Sequence, residues 1–244
     1  MGKWRMVRLT MGEMSLPWRS ALCHQGLVKA VPLFWQHAAE EQGNMDEKAR
    51  FSAMLRRSAA LKLRIADEMA AAVVAVVNAA EASLRGGGKL MFCGNGGSAA
   101  DSQHLATEML IRLRPKVERP SIPALALTLD PAALTAGGND YGFAQVFERP
   151  LRGLGRRGDV LFGITTSGRS ENVCRALSAA REMGIVTVGL LGGAGLPARE
   201  LCDHVLLVPD SETARIQECH IALGHALLEL LEDRLVARPL AVPA

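Results

Sequence analysis

Cysteines are few in this chain and show no pattern. Cys23, Cys93, Cys174, Cys202 and Cys219 are an odd five among 244 residues, with no C-x-x-C pair. That excludes a disulfide framework and fits a reducing cytosol. Cys93, Cys174 and Cys219 lie inside apolar runs, where a thiol packs as a small hydrophobe. Long apolar runs are missing too. None is long enough to span a bilayer, and the run around Met69–Val77 is flanked by charge and reads as helix. Lys3, Arg5 and Arg8 stand near the N-terminus, but Glu13 and Arg19 interrupt the stretch after them, so no signal-peptide core forms. Charge of one sign is not in excess either. A net charge of +3 gives no support for charge-driven nucleic-acid binding, whereas mild basicity suits an anionic small molecule. A cytoplasmic protein with neither a nucleic-acid nor a membrane partner is expected.

What is present is apolar residue in quantity, 49% of the chain, enough for one α/β domain with helical additions. Residues 1–44 stand apart. They show no helical or strand period and hold Trp4, Trp18, Trp35, Pro17 and Pro32. They are read as an N-terminal extension, either upstream of a true start at Met45 or an arm used in assembly. From Met45 to about Arg85 the pattern is helical, rich in Ala, Leu and Met, and Gly86-Gly87-Gly88 stops it. Its length predicts two helices or one long bent one, for covering the core or for oligomerisation. Beyond it, short apolar strands alternate with helices: Lys89–Cys93, Ala124–Leu129, Asp159–Ile164, Val186–Leu191 and His204–Val208. Without hairpin signals between them, these predict right-handed βαβ units and a five-stranded, parallel, doubly wound sheet of flavodoxin type. Such a sheet binds ligands at the carboxyl ends of its strands. The domain is placed at 45–236, with a short tail at 237–244.

Two strand-end loops carry the chemistry. Cys93-Gly94-Asn95-Gly96-Gly97-Ser98 comes after a strand and opens a helix, an arrangement that favours an anion. It matches neither the dinucleotide fingerprint nor a Walker loop, so by itself a phosphate site and a tight turn are equally good accounts. Gly163-Ile164-Thr165-Thr166-Ser167-Gly168-Arg169-Ser170 crowds four hydroxyls at another helix start. Helix capping by Ser170 needs only one hydroxyl; four make a phosphate cradle the better account.

His104 and Glu108 lie four apart on the helix after the first loop, and Arg112 continues that face. In isolation this would be a surface ion-pair ladder, but the helix begins at the candidate anion site. On the last helix Gln217, His220 and His225 interrupt an apolar segment. A lone histidine there is usually a satisfied core residue. Gln217 and His225 are about 12 Å apart along an ideal helix axis, so they meet one ligand only by leaning together.

Four segments resemble the phosphoheptose isomerase family of sugar isomerase (SIS) domains. They are Gly94–His104 with Glu108, Gly138–Phe143, Thr165–Ser170 and Ala214–His220, in the family's order between Met45 and Arg234. The resemblance implies a sheet flanked by helices, a homotetramer with active sites between subunits, and conversion of sedoheptulose 7-phosphate to glycero-manno-heptose 7-phosphate, which feeds surface-glycan heptoses. By position it implies that Asn95, Gly96, Gly97, Asn139 and Asp140 contact the sugar phosphate. Thr165, Thr166, Ser167 and Ser170 would cradle the phosphate, with Glu108, Arg112 and Gln217 also on the substrate. It further implies one zinc ion per subunit held by His104, Glu108, Gln217 and His225, with Glu108 as base and His225 as acid. Two departures stand out: Ala214 replaces an acidic residue common in the family, and Thr165 a common serine. The first leaves the exact substrate less defined than the reaction type. A related non-catalytic branch of the fold binds the bacterial replication initiator as a tetrameric adaptor, and a sugar-phosphate sensor is a third account. The adaptors tend to lose the acid, base and metal residues present here, and the intact Glu108–His225 pair speaks against a sensor, which favours the enzyme.

Overall fold

The computed structural model describes residues 46–128 and 130–240. The proposed extension at 1–44, Cys23 and the last residues of the tail lie outside them. The helical stretch is one element, α1, running unbroken over Glu47–Arg85. It ends as the glycine run predicts: Gly88 N–H donates to Ser83 O and Gly87 N–H to Leu84 O, the paired bonds of a Schellman stop.

The later elements are β1 (Leu90–Gly94), α2 (Gly97–Leu110), β2 (Ala124–Ala126), α3 (Pro131–Tyr141), α4 (Glu148–Leu154), β3 (Val160–Thr165), α5 (Glu171–Glu182), β4 (Val186–Gly192), β5 (His204–Val208) and α6 (Thr213–Ala237). The five strands are all parallel in the order β2-β1-β3-β4-β5. This is the doubly wound order expected from the alternating pattern. Strand alternation divides the core. Leu90 and Phe92 face one layer with Val160, Phe162, Leu105, Met109 and the apolar stripes of α1 and α6. Met91 and Cys93 face the other, with Leu161, Leu151 and the inner side of α5. Phe92 and Phe162 stack across β1 and β3 with ring centroids 4.8 Å apart. Each such fully buried side chain contributes about 1.5–3 kcal/mol.

Polar contacts help to fix α6, two of them from buried side chains in its first turns. Buried Arg215 donates from Nη1 to Met54 O on α1 at 3.1 Å. His220, wholly buried, lies with Nε2 3.1 Å from Leu191 O at the end of β4, and its Nδ1 has no partner. It is therefore the core histidine that an apolar helix face ordinarily holds, here neutral and donating from Nε2. A proton on Nδ1 would be buried without an acceptor, and burial lowers the His220 pKa from 6.5 to about 4.

Protonation of His220 therefore opposes folding. The unfolded chain takes up a proton near pH 6.5 while the folded one resists until about pH 4, so stability is full above 6.5 and falls through that window. The loss is expected to reach at most about 3 kcal/mol. Denaturant melts from pH 7 to 4 should show a shallower decline in His220→Gln, which keeps a donor for Leu191 O but does not titrate.

Candidate functional site

Both loops singled out from sequence leave adjacent strands. Gly94 at the end of β1 pairs in register with Ile164 of β3. Here the strand order reverses, since β2 lies on one side of β1 and β3, β4 and β5 on the other. A crevice at this switch point is where a doubly wound sheet binds its ligand. α2 begins with Gly96 at its N-cap and no side-chain cap; Ser98 and Ala99 N–H donate to Asn95 O and Gly96 O, so an anion here would be met by the leading amides of the turn and the helix dipole. Ser170 occupies the N-cap position of α5 but makes no capping bond. Its Oγ instead lies 3.0 Å from Thr165 Oγ1, which is 3.4 Å from Ser167 Oγ. Three of the four hydroxyls thus gather around one point, with half-buried Thr166 beside them. The loops are locked together by a double amide bond: Asn95 and Asn172 each donate Nδ2 to the other's Oδ1 at 2.8 Å.

One layer away, α2 and α6 bring titratable groups together. His104 Nε2 is 2.7 Å from His225 Nε2 and 3.3 Å from Glu108 Oε1. One ligand atom from each of the three lies within 4.8 Å of the others. Glu108 Oε2 is buried with no hydrogen-bond partner. Two imidazole nitrogens and a carboxylate oxygen, one carboxylate oxygen unsatisfied, are a donor set that fits zinc. The close approach needs Gly224, since a Cβ there would sit 2.7 Å from Leu105 on α2.

Gln217 stands two turns earlier on α6. A Cβ on Gly97 would lie 2.3 Å from its Nε2, so its amide rests directly on the start of α2. Nε2 also donates to Asp101 Oδ1 at 3.4 Å. Asp101 is buried with Oδ2 unpartnered, and burial raises its pKa against the opposing hydrogen bond from Gln217. Gln217 therefore ties α6 to the first turns of α2, its amide turned to Asp101.

Residues 54–192 match the SIS domain. A phosphoheptose isomerase of Pelodictyon phaeoclathratiforme is 51% identical over 179 residues, which cover 73% of this chain and 85% of the relative. The solved phosphoheptose isomerase of Neisseria gonorrhoeae is 40% identical with a TM-score of 0.72, covering 77% of this chain and all (100%) of that one. That of Francisella tularensis is 34% identical with a TM-score of 0.74, covering 78% and 100%. The chain belongs to the phosphoheptose isomerase family of SIS-domain proteins.

Not every residue that family membership suggested lies at the cluster. Arg112 was expected to continue the His104–Glu108 face, but α2 ends at Leu110 with Ile111 as its C-cap. Arg112 thus lies past the helix, its guanidinium donating to Pro115 O and Glu118. Asn139 and Asp140 sit exposed near the end of α3, Asn139 Nδ2 donating to Asp140 Oδ1 at 2.8 Å. α3 has no buried residue. Ala214, the departure from the family, is exposed in the first turn of α6. Sequence reasoning passed over Asn172, although a lone amide beside Val173, Ala176 and Leu177 at a helix start could have drawn attention to it. Asp101 falls within the Gly94–His104 segment, but nothing in its spacing gave it a role.

The Gly97–Gln217 contact gives a sharp test. In Gly97→Ala the new methyl meets only the far end of a flexible side chain, so stability should change by less than about 1 kcal/mol. Gln217 must move, however, and catalytic turnover should fall about tenfold or more. A thermal melt beside a rate measurement separates the two effects.

Proposed function

We propose that this protein is a sugar-phosphate isomerase that interconverts sedoheptulose 7-phosphate and glycero-manno-heptose 7-phosphate through an enediolate. The observation that carries this is the pairing, in one chain, of an anion-ready strand-end crevice with a His104–Glu108–His225 cluster. Asn95, Gly96, Gly97, Thr165, Thr166, Ser167 and Ser170 bind the phosphate end, their amides and hydroxyls supplying donors to a dianion. Gln217 adds to recognition of the substrate, and Arg112, Asn139 and Asp140, which lie away from the cluster of their own chain, would reach it only from a neighbouring subunit of the proposed tetramer.

Moving the carbonyl from C2 to C1 is a proton-transfer problem. Glu108 takes a proton from C1 as His225 supplies one to the C2 oxygen, giving the enediol. Glu108 then returns a proton to C2 while the O1 hydroxyl proton passes to the now deprotonated His225 and the C1 carbonyl forms. The inequivalence of the two Glu108 oxygens supports this role, Oε1 facing His104 and Oε2 buried and unpartnered. His104, Glu108, Gln217 and His225 would hold one zinc ion per subunit, which when bound polarises the carbonyl and offsets enediolate charge. A homotetramer is part of the same proposal. It is supported by exposed apolar side chains at Leu55, Leu63 and Val74 on α1, at Tyr141, the last residue of the uncovered α3, and at Phe143 just beyond it. The cytoplasmic assignment rests on the free thiols of the four described cysteines. No described helix is long and apolar enough to cross a membrane. Retention of the histidines and Glu108 favours the enzyme over an adaptor or a sensor.

Incubation with sedoheptulose 7-phosphate in D₂O, with and without zinc, tests the reaction by proton NMR. Wild type should form product and take up deuterium, and Glu108→Gln should lose about 10²–10⁴-fold in rate. Folded, zinc-loaded protein that gives neither product nor exchange refutes the assignment. Thr165→Val removes a hydroxyl from the cradle and should raise KM about tenfold or more while kcat changes less.

A further inference from the structure

The segment between α2 and β2 contains a buried ion pair for which neither the sheet nor the phosphate loops has a use. Arg119 has a side chain only 4% exposed, and Glu232 on α6 is fully buried at 0%. Arg119 Nε donates to Glu232 Oε1 at 2.6 Å, and Arg114 Nε takes the other oxygen at 2.7 Å. The rest of the Arg119 guanidinium faces the end of α2. Nη2 donates to Glu108 O at 2.7 Å and Nη1 to Met109 O at 2.9 Å.

Burying such a pair is costly, and apolar residues of like volume often stabilise a core as well or better. Stability alone therefore gives a weak reason for it. Its placement gives a stronger one. The carbonyl that Arg119 holds belongs to Glu108 itself. The carboxylate that holds Arg119 lies seven residues, close to two turns, beyond His225 on the same face of α6. A single planar guanidinium thus spans the two helices that carry the cluster, with its donors at fixed angles.

We propose that Arg119 is a positioning residue that sets the spacing between Glu108 and the two histidines, acting through the Glu108 carbonyl and Glu232. This rests on the reading of the cluster as a metal-centred isomerase site. Arg119 touches neither substrate nor reacting atoms. Its contribution is to keep the last turn of α2 from fraying and to hold α2 at one distance from α6, so that His104, Glu108 and His225 converge before anything binds. Supports of this kind commonly govern metal affinity and rate by about 10–100-fold.

The test uses three variants of the full chain. Arg119→Lys keeps the charge beside Glu232 but lacks the fork. Arg119→Met/Glu232→Leu removes both charges together, so that no lone buried ion is left to unfold the protein. Leu151→Ala destabilises the opposite core layer and reports on generic loss of stability. Zinc affinity is measured by competition with a chromogenic chelator, alongside thermal midpoints and the split between kcat and KM. Both Arg119 variants should bind zinc about tenfold or more weaker and lose kcat with KM nearly unchanged. Leu151→Ala should lower the melting point and leave zinc affinity as in wild type. Folded Arg119 variants with wild-type zinc affinity and kcat would overturn the inference while leaving the isomerase intact. A wild type that binds no zinc would overturn the metal centre and this inference together.

Discussion

The close packing of α2 against α6 is the constraint on which the rest of the site depends. Leu105 fills the place where residue 224 would carry a Cβ, and the Gln217 amide fills the corresponding place at Gly97. With two side chains lying where methyl groups would otherwise stand, the helices approach closely enough for His104 and His225 to meet. Packed interiors resist small changes of volume. The distance between the histidines is therefore a property of the core, set by Gly224 and Leu105, each next in sequence to one of the two histidines. The Arg119–Glu232 pair adds a polar tie to the same interface near the far end of α2.

At the other end of α2 the sheet supplies the second half of the site. Order reversal between β1 and β3 opens a crevice, and the same helix that begins there carries His104 two turns later. The strand-end crevice and the histidine cluster are thus joined by one element, α2. On the proposed chemistry, a bound phosphate fixes one end of a seven-carbon sugar, and the helix fixes how far along that sugar the base can work. Remote binding energy of this kind orients the reacting carbon without touching it.

The sheet was legible in the sequence because parallel strands covered on both faces read as unbroken apolar runs, as at Leu90–Gly94 and Val186–Gly192. The two loops were legible because helix starts after such strands have few uses for clustered glycines or hydroxyls. The His104–Glu108 pair was predicted by helical spacing, but the same spacing misplaced Arg112, because periodicity does not show where a helix stops. Gln217 and His225 needed the family resemblance, since neither composition nor spacing says which face of α6 meets α2. Arg119 was invisible for a further reason. It sits in irregular chain, where no period applies, and its partner is 113 residues away. Asn172 escaped for a similar reason, its partner Asn95 being 77 residues distant.

The amide pair between Asn95 and Asn172 separates two kinds of recognition within the molecule. It joins the two strand-end loops using residues of one folded chain, so that the loops are held together within the monomer. Asn139 and Asp140, by contrast, stand on a helix with no buried residue, and Ala214 lies exposed at the start of α6. Surface positions tolerate exchange far better than a reciprocal, partly buried pair does. Exchange at those surface positions is therefore expected to alter how this chain meets its sugar while leaving the tie between the two loops intact.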